Sequence, residues 1–456
     1  MFSHTDWCEV NLYRQKMGTE DNKHTTLWNW IDGFKGDKVI LIIAMLLLAA
    51  SIISVFSSTS LLALGSGDSR ESIMTSQAVM VGVGGLVILF IYLFGESSAY
   101  RFIGKYGFLA SLAMLIILVF ELDFGFVRAS SINGAMRVIV VFGLQLHVYE
   151  FVKLFMILYA SWALKTYKEG GFKLTKRIAK LHPKLSFFAT PIAEKCFYLY
   201  IPLATTIGLV MLGSNSSALF IAAILVALFV IGGIDVKDIL VMGAAMGAVV
   251  GLLMLANSRG VIETNRSDTA RSRVMNDEKA QMDSLIYYRP GGGHYNSSMF
   301  SKYRDKLMQP VGAQLAIKDG GIFGKGIGRS GQKYVVPVIF SDYMFSFIIE
   351  ETGVLGAALL IILYYSLLAR GVNVAKHCPD YFDKVVVTGY SILITAQAFM
   401  HMMVNVHFPL IPQTGQTLPL LSHGSTSFIV FCAVLGIMLS LSKESDLPQE
   451  ESVETE

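Results

Sequence analysis

Asp342 opens the apolar run in VPVIFSDYMFSFIIEETG (336–353), and Glu350 and Glu351 fall inside it. An acid at a helix start stays ionised, favoured by the free N–H groups and the positive end of the helix dipole. A plain N-cap shared with Ser341 is the alternative. At about 1.5 Å per residue, Glu350 lies roughly 12 Å further along the axis. An exposed carboxylate at that depth of a bilayer costs several kcal/mol, roughly, so both glutamates are expected to face the protein interior, paired or protonated. Cations are expected at the same level as Asp342: Arg137 in NGAMR, Lys153 with Glu150 at i, i+3, and Lys325, Arg329 and Lys333 in DGGIFGKGIGRSGQK. Glycines let backbone N–H groups approach an anion closely. This is no nucleotide loop, since no Ser or Thr follows Lys325. His147, His401, His407 and His423 have no metal-ligand spacing. One acid, several cations and a glycine-rich cover suit a lipid-linked, phosphate-bearing substrate.

The elements that must position these groups are membrane spans. The 456 residues are 53% hydrophobic and 16% charged, with a mean hydropathy of +0.55, beyond the usual soluble range. Ten apolar runs approach the roughly 20 residues needed to cross a bilayer, near 39–58, 77–95, 107–122, 148–164, 196–213, 217–234, 239–256, 342–369, 385–405 and 425–442. They are apolar on every face, which predicts an all-α polytopic bundle and not a barrel. Placing the N-terminus inside puts about 20 Lys and Arg in inner segments and about 3 in short outer loops. Both termini are therefore expected in the cytoplasm. Residues 1–38 form a polar lead-in with Trp28 and Trp30 at the interface, and the acidic tail 443–456 is expected to be disordered. The one large outer loop, 257–340, has a polar part carrying Arg271 and Arg273 and a glycine-rich part from 312. Loops of that length are uncommon unless functional or disordered. A net charge of +3 is too small and dispersed to indicate a nucleic-acid partner.

In order, spacing and topology, NGAMR, EFVKL, GGIFGKGIGRSGQK, SDYMFSFIIEETGVLG and QTGQTLPLLSHGSTS resemble the SEDS proteins (shape, elongation, division and sporulation). The resemblance runs from about 36 to 442, and 314–355 is its most specific part. The lead-in, the SDY block and LPLLSHGSTS are more similar to division-type FtsW proteins of Bacteroidota than to elongation-type RodA. The resemblance implies a peptidoglycan glycosyltransferase that polymerises lipid II on the outer face of the bacterial cytoplasmic (inner) membrane. It also implies a class B penicillin-binding protein and other division proteins as partners. Asp342 matches the family's essential acid, Arg137 the arginine of NGAxRW, Glu150 and Lys153 its ExxK pair, and Ser330, Gln332 and Lys333 its SxQK element. Glu350 and Glu351 match the acid pair that follows.

On that resemblance Asp342 is the expected general base on the acceptor 4-hydroxyl. Arg137, Lys153, Gln332, Lys333, Arg271 and Arg273 are candidate contacts to substrate and leaving pyrophosphate. Glu150, Ser330, Glu350, Glu351 and Ser422 are candidate supports, and a divalent cation, Mg or Mn, is a candidate cofactor. The chain departs from the family pattern at four places. QPSE is replaced by His147, Val148, Tyr149 and Glu150, QPDLGT by GSNSSAL, the PExxTD acid by Val338, and SYGG by Ser422, His423, Gly424 and Ser425. The alternatives in other classes are a lipid II flippase, a solute or ion transporter and a non-catalytic division scaffold. Charges gathered at one end of the spans weigh against the flippase and the transporter, which would want them near the midplane.

Overall fold

The computed structural model describes residues 34–59, 70–251, 278–408 and 415–445, less 133–134, 183–185, 188–189, 236, 242, 245–246, 249–250, 289, 292, 295, 337–338 and 424. The lead-in tryptophans, Arg271 and Arg273, most of the span expected at 239–256 and the end of the tail lie outside the described residues.

The bundle is helical, as its composition requires. Its elements are α1 (Lys38–Ser58), α2 (Arg70–Phe94), α3 (Ser97–Val119), α4 (Val148–Lys168), α5 (Lys173–Leu181), α6 (Pro191–Gly213), α7 (Asn215–Ile231), α8 (Glu278–Tyr287), α9 (Ser297–Gly320), α10 (Met344–His377), α11 (Tyr381–Asn405) and α12 (Ser425–Ser442). Six of these (α1, α2, α3, α6, α10, α11) are long and apolar enough to cross a membrane, and α7 and α12 are shorter apolar helices. The protein is a multi-pass membrane protein. Each helix supplies its own backbone hydrogen bonds, which the bilayer core demands.

Two elements depart from expectation. Between α3 and α4 the chain forms a three-stranded antiparallel sheet, β1 (Val127–Ile132), β2 (Ala135–Val141) and β3 (Leu144–His147), in the order β1-β2-β3. The fold remains a helical bundle, with this small sheet added between two of its helices. The β-branched run RVIVV suits a pleated strand, and two residues with positive φ, Phe142 and Gly143, turn it into β3. The described part of the long connection before α10 is also more ordered than a loop. It contains α8 and α9, so the first third of the glycine-rich segment, 312–320, is helix.

Hydrogen bonds show which helix ends meet. At one end β3 touches the start of α12 through His147 N–H to Thr426 Oγ1 (3.2 Å). There the residues before α10 touch those before α12 through His423 N–H to Phe340 O (2.9 Å). At the other end Arg370 binds Asp37, which receives Ile40 N–H at 2.8 Å and so caps α1. Lys165 there pairs with Asp380, at the start of α11. The buried tyrosines tie the middle, Tyr364 donating to Pro419 O and Tyr390 to Leu154 O, as buried hydroxyls require.

Candidate active site

Asp342 sits in the turn before α10, half-buried, and α10 begins only at Met344 with Tyr343 in the cap position. Its carboxylate does not cap the helix. Among the described residues its carboxylate receives one hydrogen bond, from Ser341 Oγ at 3.1 Å. The first helical N–H groups are taken from across the bundle, Phe345 N–H by His401 Nε2 (3.4 Å) and Ser346 N–H by Asn405 Oδ1 (3.0 Å). The N-cap alternative is thus not what the structure shows. Burial pushes the Asp342 carboxyl above its ordinary value, opposed by the Ser341 hydrogen bond and the charge of Arg137. A weakly solvated carboxylate with a raised pKa is a better proton acceptor than a surface aspartate.

Arg137 reaches this corner from β2. It makes no ion pair with Asp342 within 4 Å, and its Nε is buried without a partner among the described residues. Glu150, in the first turn of α4, likewise leaves Oε2 unpartnered, while Oε1 receives Lys153 Nζ at 2.7 Å. Lys153 also donates to Gln397 Oε1 on α11 at 2.6 Å, and Gln397 passes the chain on to Thr417 O. Lys153 is therefore held in a buried network joining α4, α11 and the 415–423 segment. The Glu150–Lys153 pair is more than a local i, i+3 contact, because Gln397 completes it. Ser422 accepts Leu418 N–H and donates to Ser341 O (2.8 Å), closing the turn that backs Asp342.

Glu350 and Glu351 answer why acids stand in an apolar run. Helix α10 is broken at Gly353, whose φ of 72° and ψ of −173° only glycine readily adopts. The break frees four backbone groups, and the glycine-rich segment fills them. Lys325 and Gly326 donate to the carbonyls of Glu350 and Glu351 (both 2.9 Å), and Val354 and Leu355 donate to those of Gly321 and Ile322 (3.0 and 3.4 Å). The two carboxylates then hold the rest of the segment. Glu350, wholly buried, accepts from Lys325 Nζ (2.9 Å), Gly331 N–H (2.9 Å) and Ser330 Oγ, while Glu351 accepts from Gly328 N–H (2.9 Å) and Ser57 Oγ (2.6 Å). Lys333 is buried too and donates to Gly328 O at 2.6 Å. Gln332 gives its backbone N–H toward Glu350 (3.4 Å). These residues build a lock between segment and helix, so Lys333, like Lys153, is spent on structure. Arg329 stays exposed on the segment.

A resident metal finds few donors here. Among the described residues no three His, Cys, Asp or Glu side chains are grouped to hold an ion. Asp342 and the one free oxygen of Glu150 do not make a site.

A sequence profile of the FtsW/RodA/SpoVE cell cycle proteins matches residues 37–447. The chain belongs to that family. It is 25% identical over 431 residues to a probable peptidoglycan glycosyltransferase FtsW of Thiomicrospira cyclica, covering 93% of this chain and 95% of the other. It is 27% identical over 411 residues to stage V sporulation protein E of Bacillus subtilis, covering 90% and 97%. Among solved structures it resembles a chain of a peptidoglycan synthase complex that coordinates polymerization and crosslinking (TM-score 0.56, 21% identity, 89% and 97% covered). It also resembles the rod shape determining protein RodA of Thermus thermophilus (TM-score 0.53, 19% identity, 90% and 98% covered). The likeness to both solved structures supports the shared fold.

Sequence reasoning missed Asn405, and weighed His401 only as a metal ligand and not as a partner of the α10 N-terminus. The two stand four apart at the end of α11 and so share one face. The available signal was their polarity at the end of an apolar run, where each polar group needs a named partner.

Proposed function

We propose that this chain is a peptidoglycan glycosyltransferase that polymerises lipid II, working in cell division beside a class B penicillin-binding protein. The carrying observation is the Asp342 carboxylate, half-buried, excluded from capping and under the field of Arg137, in a family with relatives named for this activity. Orientation follows the inner excess of Lys and Arg, which puts both termini in the cytoplasm and the Asp342 corner at the outer face.

In this mechanism Asp342 takes the proton of the acceptor sugar's 4-hydroxyl. The oxygen's lone pair forms a bond to the donor's anomeric carbon, and the carbon–oxygen bond to pyrophosphate breaks with its electron pair leaving on phosphate, inverting the centre. General-base assistance of this kind is worth about 10² to 10⁴ in rate. One carboxylate suffices, because pyrophosphate leaves without a proton, whereas hydrolytic glycosidases use two. Arg137, with its unpartnered Nε, is the cation that stabilises charge on the departing pyrophosphate. The test is the full chain purified with its penicillin-binding partner and supplied with lipid II, with glycan strands read on gels. Asp342→Asn should abolish strand formation. Strands formed by that variant at the parent's rate would overturn the assignment.

A further inference from the structure

The geometry points to Asn405 as a positioning residue that keeps Asp342 out of the helix cap and so free to act; this rests on the base role given to Asp342. Three consecutive carbonyls lead into α10, and each is held from outside its own segment. Phe340 O receives His423 N–H (2.9 Å), Ser341 O receives Ser422 Oγ (2.8 Å), and Asp342 O receives Asn405 Nδ2 (3.0 Å). Asn405 works in both directions. Its Nδ2 also donates to His401 O (2.9 Å), and its Oδ1 accepts Ser346 N–H and Ser346 Oγ (both 3.0 Å). Two donors and two acceptors are the full capacity of an asparagine amide, and here all four are used.

His401 completes the arrangement. Its Nδ1 lies 2.7 Å from Gln416 O, so Nδ1 carries the proton and Nε2 is left to accept Phe345 N–H. Two orphan N–H groups of the α10 N-terminus are thereby satisfied by α11, and a neighbouring carboxylate has no call to fill them. An aspartate just before a helix would otherwise accept those N–H groups. Hydrogen bonds to the ionised form lower a carboxylate's pKa and turn its oxygens toward the helix. Asn405 thus blocks the resting conformation that would disarm the base.

The groups around that corner set how pH reports on it. Arg137 on β2 is the permanent charge acting on Asp342. Glu150 and Lys153 on α4 neutralise each other, His147 on β3 lies in the field of Glu150, Arg137 and Lys153, and His401 and His423 touch the neighbouring backbone at Phe345 N–H and Phe340 O.

Two variants of the full chain, copurified with its penicillin-binding partner and assayed on lipid II, separate the outcomes. Asn405→Ala opens the Ser346 N–H to Asp342 and releases the Asp342 carbonyl, while His401 keeps Phe345 N–H. The expected result is a fall in kcat of about tenfold or more, a displaced reacting group being costly even at sub-ångström scale. KM should stay unchanged, and the acid limb of the pH–kcat profile should move to lower pH. Asn405→Asp keeps acceptors for Ser346 but loses the donor to Asp342 O and adds a negative charge. It should also lose rate, with the acid limb moving to higher pH. Opposite movements of the limb are something a merely structural residue would not produce. The inference is overturned if the limb stays in place in both variants, whether activity is unchanged or falls together with thermal stability. The base role is tested apart from it by Asp342→Asn: an active variant there removes the base and leaves the hydrogen bonds of Asn405 as they are.

Discussion

Replacing Gly353 with alanine sets two hydrogen-bonding solutions against each other. In the broken helix the four freed backbone groups bind the glycine-rich segment, through Lys325, Gly326, Gly321 and Ile322. In a continuous helix Val354 and Leu355 would return to the carbonyls of Glu350 and Glu351, so two bonds replace four. At about 1 kcal/mol each, the break is ahead by about 2 kcal/mol of backbone bonding. An alanine at 353 reverses this. Its Cβ would stand 2.1 Å from Ile322 O and 2.5 Å from Gly324 N, backbone atoms that cannot give way. Holding the glycine-only conformation costs a further ~1–3 kcal/mol, and alanine favours continuous helix over glycine by about 1 kcal/mol. We expect the helix to close through 353 and the segment to be released. Amide hydrogen exchange of the purified protein reads this directly. Lys325 and Gly326 should lose protection by about 30-fold, the equivalent of about 2 kcal/mol, while Val354 and Leu355 stay protected as helical amides. If Lys325 and Gly326 exchange as slowly as in the parent, the lock does not depend on the break and the reasoning fails.

Three further outcomes are expected. Gly415→Ala would place a methyl 3.0 Å from Asp342 Oδ2 and 3.4 Å from its Cγ, pushing the carboxylate by a few tenths of an ångström; polymerisation on lipid II should slow about tenfold with an unchanged melting temperature. Lys153→Met strands Glu150 and Gln397 in the bundle and should cost about 3 to 5 kcal/mol, with Glu150→Gln added to it recovering much of the loss; thermal unfolding in detergent of the single and double variants checks the sign. Burial raises Asp342 above its unfolded value, so its protonated form is the one the fold favours, and that stabilisation is present at low pH and lost as pH rises through the folded pKa. Asp342→Asn should therefore melt higher than the parent at neutral pH and not at low pH, and the parent's activity should rise with pH through a midpoint above the ordinary aspartate range.

The spans were legible because bilayer thickness imposes a length and an apolar composition on each, and the described helices start within a few residues of the expected runs except α2, α3, α6 and α11, which start further upstream. The sheet between α3 and α4 was hidden. Its strands run four to seven residues, too short to stand out beside helices, and its stability comes from cross-strand pairs and not from local preference. Asp342, Glu350 and Glu351 were conspicuous by cost, since a carboxylate in an apolar run demands a partner. The partners were not conspicuous. Lys153 and Lys333 looked like free cations, yet one is tied to Gln397 across 244 residues of sequence and the other to Gly328 O.

Taken alone, the sequence determined that this chain crosses a membrane many times and gathers unusual polar groups at one end, because transfer free energies act residue by residue. Only the tertiary structure decided which of those groups are spent and which are free. That depends on distances between segments far apart in the chain: Asn405 against Asp342, the glycine-rich segment against the break at Gly353. A hydrogen bond satisfied from across the bundle leaves no mark on either segment's own pattern.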